Sequence, residues 1–274
     1  MCHACVIDHV KETMLSRRKL FTGAAATGLA LGAAGMAPRA ALAQASATAG
    51  RVVDLTHVFD ETFPTFDGTP GIAFEEDKNI QADGYQIWKL TIWEHSGTHI
   101  DAPLHFSADG KSVAELEPQN LVCPLCIVDI TAKAAEDANA TVDPEDIEAW
   151  VSANGEIPQG ALVAMQSGWA AKLGTPEFRN TADGALAFPG FSKAATDVLG
   201  GMGVVGIGVD TLSLDPSNSP DFGVHTSWLP AGHYGIECLA GLDQLPATGA
   251  TIVVGAPKHA RGTGGPGRIL ALAP

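Results

Sequence analysis

Basic residues are scarce. The chain of 274 residues has 16 Lys+Arg against 31 Asp+Glu, a net charge of −15. A surface of that sign repels a phosphate backbone, so a nucleic-acid partner is excluded. Cysteine is scarce as well, and five are too few for a disulfide scaffold. Aromatic residues make up 6% and charged residues 17%, while hydrophobic residues reach 46%. That balance belongs to a globular chain rather than a disordered one. Internal repeats are absent, which excludes a coiled coil, a helical repeat and a collagen-like rod. Glycine (31) and proline (17) are plentiful by contrast, which points to many turns and short elements.

The first 43 residues read as an address. Ser16-Arg17-Arg18-Lys19-Leu20-Phe21 precedes an uncharged, Ala/Gly-rich stretch from Thr22 to Ala37, then Pro38, Arg39 and the small-residue run Ala41-Leu42-Ala43. The pattern resembles a twin-arginine export signal, with the usual Phe-Leu pair standing here as Leu20-Phe21. The apolar stretch is about 16 residues, below the ~20 of a spanning helix, so no stable membrane anchor is expected. Cleavage after Ala43 (or Ala45) would release a periplasmic domain over residues 44–274, with the twin-arginine translocation machinery as its partner during export. Beyond residue 43 the balance is 11 Lys+Arg against 29 Asp+Glu, and seven histidines remain. Cys2, Cys5 and His9 lie upstream of the signal and lack a second Cys pair at zinc spacing, so they are not read as a metal site.

The rest reads as strands alternating with helices. Arg51–Thr56, Leu121–Ile130, Ala161–Gln166, Val204–Val209, Thr251–Val254 and Arg268–Leu272 are strand-length runs. Tyr85–Trp93 alternates as a half-buried strand, with Trp88 and Trp93 expected in the core. Asp143-Pro144-Glu145-Asp146 is a helix start and Gly155 lies just past its end; a second helix runs from Ser192 to Leu199. The class is α/β: a single domain with a mixed sheet and flanking helices.

Two strings match motifs without their context. Gly201-Met-Gly203-Val-Val-Gly206 fits G-x-G-x-x-G, but a helix ends and a strand begins there, the reverse of a dinucleotide loop. Cys123-Pro-Leu-Cys126 lies in an apolar strand run rather than at an exposed helix N-terminus, so buried structural thiols are expected.

One segment carries chemistry. His95-Ser-Gly-Thr-His99-Ile-Asp101-Ala-Pro-Leu-His105-Phe106 places three histidines and a carboxylate within eleven residues. Imidazole and carboxylate suit Zn²⁺ or Mn²⁺. Gly97 and Pro103 argue against one continuous helix. A turn followed by an extended segment would instead put His99 and Asp101 on one side.

This run resembles the signature of the cyclase-like metal-dependent hydrolases, which include bacterial kynurenine formamidases and isatin hydrolases. The similarity extends to Val52–Thr56, to Gly208–Asp215, to His225 standing twelve residues before Glu237, and to Gly264–Arg268. The resemblance implies the cyclase-like fold and two metals, Zn or Mn, per subunit. His95, His99 and Asp101 would hold one; Asp101 would bridge to a second bound by His225 and Glu237. His105 would be the proton donor and acceptor beside a metal-activated hydroxide. Phe66 stands where the formamidases have a Trp that contacts substrate. His233 is expected to be a surface or supporting residue rather than a ligand. The implied activity is hydrolysis of an amide C–N bond, arylformamidase chemistry first and isatin-like lactam or lactone opening as the alternative. A non-catalytic metal-dependent periplasmic binding protein is the other class. A small aryl amide or lactam is the expected substrate, and a homodimer or tetramer the expected assembly.

Overall fold

The structure is a computed structural model and describes residues 50–274. The export signal expected over residues 1–43 and the Cys2–His9 segment lie outside the described residues. Strand β1 (Val52–Asp54) comes first, then β2 (Ile72–Lys78), the one-turn helix α1 (Ile80–Asp83), β3 (Ile87–Ile92) and β4 (His99–Asp101). The middle of the chain forms β5 (Val122–Asp129), α2 (Thr131–Glu136), β6 (Thr141–Val142), α3 (Pro144–Asn154) and β7 (Leu162–Gln166). β8 (Gly190–Phe191), α4 (Lys193–Gly201), β9 (Gly206–Val209), α5 (Gly223–Trp228) and β10 (Tyr234–Glu237) follow. The chain closes with β11 (Ala250–Gly255), β12 (Gly264–Pro266) and β13 (Arg268–Leu272). Residues 50–73 and 90–274 make one compact unit, to which Phe74–Lys89 does not belong.

Nine strands form one sheet in the order β1-β13-β11-β5-β7-β9-β10-β4-β12. Its centre, β5-β7-β9-β10, is parallel, and the flanking pairs are antiparallel. Parallel strands are covered on both faces, which is why these segments read as continuous apolar runs rather than as alternation. Along β7, Val163 and Met165 pack with Ile147 and Trp150 of α3 and Leu199 of α4. Leu162 and Ala164 point the other way, into a cluster with Tyr234, Ile236 and Ile252. The mixed sheet with flanking helices is the α/β fold expected from the sequence.

Local signals hold in detail. Asp143 and Asp146 form a reciprocal capping box at the start of α3, Pro144 occupies the first turn, and Gly155 ends it at φ 91°. Helix α4 runs through Gly200 and Gly201, two residues past the expected end, and the chain turns at Gly203 (φ 80°) into β9. Those glycines are a helix exit and a turn. Cys123 and Cys126 are free, buried thiols on β5, and burial pushes Cys126 up to about 11.

The third strand departs from expectation. Among the described residues β3 pairs only with β2, and all six of its residues are exposed rather than half-buried. Trp88 is 49% and Trp93 69% exposed, so neither belongs to the core. The alternation of Trp88, Leu90 and Ile92 with Lys89 and Thr91 is real, but among the described residues a two-stranded ribbon supplies no layer to cover its apolar face. A lone ribbon of this kind is marginal in water.

Candidate active site

The sheet and helix α5 bring the candidate ligands together from two stretches of the chain, residues 95–105 and 225–237. β4 lies between β10 and β12, antiparallel to both. Its register sets His99 opposite Glu237 and Asp101 opposite Gly235. His99 and Asp101 are two residues apart and therefore share one face of the strand. On the other side Gly264 faces Asp101, and a Cβ there would meet Ile100 O at 2.2 Å and His95 Cε1 at 2.8 Å. Only glycine lets β12 pass this close. His225 arrives from α5, whose preceding residue Phe222 adopts φ 52°, ψ 49°. A left-handed non-glycine residue costs about 1–3 kcal/mol and is typical of functional sites.

Asp101 is the centre of the cluster. His95 Nδ1 lies 2.6 Å from its Oδ1, His99 Nε2 3.3 Å from the same oxygen, and His225 Nε2 3.7 Å from Oδ2. Glu237 spans two imidazoles, with Oε2 3.2 Å from His99 Nε2 and Oε1 3.2 Å from His225 Nε2. Backbone and side-chain bonds aim these rings. His99 Nδ1 donates to Gly97 O at 2.9 Å, and His225 Nδ1 pairs with Asp215 Oδ2 at 2.6 Å, so both Nε2 atoms face the carboxylates. Asp215 also accepts the backbone N–H groups of Val224 and His225.

Whether a cation fits is answered by the orphaned atoms. His99 Nε2 and Asp101 Oδ2 are buried with no hydrogen-bond partner. Unpartnered buried polar atoms are costly, and here they converge within a set of neutral-imidazole and carboxylate donors. His99, Asp101 and Glu237 bring ligand atoms together in one group, and His95, Asp101 and His105 in a second. The donor set fits a divalent ion. Without one, protons bind instead. Burial alone would lower the pKa of His99, but Asp101 and Glu237 outweigh it and carry it to about 10. His225 is likewise raised against burial by Asp101, Asp215 and Glu237.

His105 is different. Its ring stacks on His95 with centroids 3.6 Å apart, and burial lowers its pKa to about 4, so it is neutral at pH 7. Above the cluster lies a pocket of about 270 Å³, lined by Phe66, Phe106, Phe222, His105 and Leu212 among others. Phe66 and Phe222 meet at 5.8 Å, and Phe106 and Phe222 at 6.2 Å. A second cleft of about 570 Å³ shares Phe66, His95 and His105, and is lined also by Ile92, Trp93, Glu94 and Thr263. Trp93, expected in the core, is therefore a cleft residue.

The profile of the Cyclase family matches residues 53–216. The chain belongs to that family. It is similar to the isatin hydrolase of Roseibium aggregatum, 31% identical over 242 residues that cover 81% of this chain and 92% of the relative. A kynurenine formamidase of Bacillus cereus is 35% identical over 80 residues, 29% of this chain and 38% of the relative. Among solved structures, an isatin hydrolase bound to the product analogue thioisatinate superposes with a TM-score of 0.79 at 30% identity, covering 87% of this chain and all of that one. Isatin hydrolase A from Ralstonia solanacearum gives 0.78 at 32% identity, with coverages of 88% and 100%.

The structure brings together His95, His99, Asp101, His105, His225, Glu237 and Phe66. His233 is elsewhere, stacked on Trp228 with ring centroids 4.1 Å apart. Sequence reasoning missed Phe106, Phe222, Asp215, Glu94 and Thr263. Phe106 and Glu94 flank the dense motif and Asp215 closes the Gly208–Asp215 segment, so their positions were signalled though their roles were not. Nothing in the sequence marks Thr263 or Phe222.

Proposed function

We propose that the protein is a metal-dependent hydrolase that cleaves the C–N bond of an aromatic amide. The observation that carries this reading is the buried His99–Asp101–His225–Glu237 cluster, with its orphaned nitrogen and oxygen, at the floor of an aromatic-walled pocket. Two divalent ions, Zn or Mn, would be held by His95, His99, Asp101, His225 and Glu237. Such ions polarise a carbonyl and lower the pKa of water. The chain's own residues do the rest. Phe66, Phe106 and Phe222 present flat apolar faces to an aryl ring and keep water from the pocket. His105, neutral at pH 7, takes a proton from the attacking water on an imidazole nitrogen and hands it to the leaving nitrogen. Asp215 holds the His225 ring in the orientation that serves the cluster.

Arylformamide hydrolysis and opening of a fused aryl lactam both satisfy this geometry. Similarity to isatin hydrolase over nearly the whole chain favours the lactam. The test is a hydrolysis screen of metal-loaded protein against aryl formamides, fused aryl lactams and aliphatic lactones, run beside Phe66→Ala. Aryl substrates should turn over fastest, and Phe66→Ala should raise their KM at unchanged metal content, the mark of lost substrate binding. Faster turnover of aliphatic substrates, with Phe66→Ala indistinguishable from wild type, would leave only the hydrolase class.

Two further proposals complete the reading. The paired arginines direct twin-arginine export to the periplasm, and replacing Arg17 and Arg18 by Lys should trap precursor in the cytoplasm. The apolar face of the β2–β3 ribbon is covered by a second copy of the chain, giving a homodimer or tetramer, supported by the exposure of every β3 residue.

A further inference from the structure

Both ring nitrogens of His95 are engaged. Nδ1 faces Asp101 at 2.6 Å, and Nε2 lies 2.8 Å from Thr263 Oγ1, 168 residues away in the chain. Thr263 in turn meets Glu94: its hydroxyl is 2.6 Å and its backbone nitrogen 3.2 Å from Glu94 Oε2. Counting hydrogens fixes the direction of the chain of bonds. A hydroxyl has one hydrogen, and a 2.6 Å contact to a carboxylate is the short, charge-assisted kind. Thr263 therefore donates to Glu94 and can only accept from His95, so the hydrogen sits on Nε2. Nδ1, turned toward Asp101, is the nitrogen left to a metal ion shared with that carboxylate.

We propose that Glu94 and Thr263 form a clamp that sets the tautomer and ring orientation of His95, making them positioning residues for the metal cluster. The inference rests on the reading of His95 as a metal ligand. Each imidazole of the cluster has one nitrogen tied and the other turned inward. His99 and His225 are tied at Nδ1 by Gly97 O and Asp215. His95 is tied the other way round, at Nε2, and its tie comes from the segment that leads into β12. Partners of this kind fix the ring and raise its basicity, and their loss typically weakens metal binding 10–100-fold.

The competing explanation is that Glu94 and Thr263 only tether the C-terminal segment. That segment has its own backbone bonds, from Ala102 N to Thr263 O at 2.8 Å and from Val113 N to Gly262 O at 2.9 Å. Thr263→Val keeps these and the Thr263 N–H to Glu94, and removes only the hydroxyl. Affinity for Zn²⁺ and for Mn²⁺ is measured on the full-length mature protein by competition with a chromophoric chelator. Thr263→Val should bind about 10–100-fold more weakly than wild type at an unchanged melting temperature, and Thr263→Ser should restore binding. Nitrogen NMR of the metal-free protein should show the His95 Nε2–H protected from solvent exchange in wild type and exchanging freely in Thr263→Val. Wild-type affinity and Nε2–H protection in Thr263→Val, with His95→Ala weakened, would overturn the clamp alone. Wild-type affinity in His95→Ala would overturn the ligand reading and the clamp with it.

Discussion

Asp101 faces three imidazoles at 2.6, 3.3 and 3.7 Å, and no other side chain of the cluster joins both of its ligand groups. Removing it leaves three histidines without their shared counter-charge. Asp101→Ala should lose bound metal and activity together, whereas His105→Ala should keep metal and lose about 10²–10⁴ in rate, the usual size of a general acid–base contribution. Elemental analysis of the two purified variants separates the roles, and a His105→Ala protein stripped of metal would make His105 a ligand. At this scale the sequence was highly legible where ligands lie close together. His95, His99, Asp101 and His105 sit within eleven residues, so their chemistry shows as density. Thr263 and Phe222 were illegible because a hydroxyl and a phenyl ring carry no signature until the fold sets them beside an imidazole or a pocket.

The elements were legible in proportion to how much of their environment they carry with them. The cap and exit of α3 are written in Asp143, Pro144, Asp146 and Gly155, and β13 occupies the stretch that its apolar run marks. β3 failed because alternation reports which face is apolar and not what covers it. Its residues Trp88, Leu90 and Ile92 are exposed in the single chain. If a second copy covers them, Trp88→Glu should convert the oligomer to monomer, read by light scattering of the size-fractionated protein. A wild-type protein that is monomeric at micromolar concentration would contradict the assembly. The site itself depends on a three-residue strand, β4, whose register against β10 sets His99 opposite Glu237. A slip of one residue would turn both ligands to the opposite face.

At the scale of the whole molecule, buried charge links stability to pH. In metal-free protein the raised pKa of His99 contributes stability that is complete below about 6.5 and lost as pH rises through about 10. Asp101, held well below its usual 3.8 by the facing histidines despite burial, contributes stability present above that value and lost as pH falls further. The melting temperature of the metal-free protein should therefore decline from pH 6.5 toward 10. Metal replaces the protons, so affinity should rise over the same window. A flat metal-free profile would contradict the pairing of His99 with Asp101 and Glu237.

In the proposed function this Cyclase-family chain hydrolyses amides through ions held by the Asp101 cluster. The most direct measurement is the initial rate of aryl lactam or arylformamide hydrolysis as Zn²⁺ or Mn²⁺ is titrated into chelator-stripped protein. The rate should start near zero, climb in proportion to added metal and level off at one or two ions per chain, with Asp101→Ala silent throughout. A stripped protein as active as the loaded one, or an Asp101→Ala protein that responds like wild type, would contradict metal-dependent hydrolysis at this cluster.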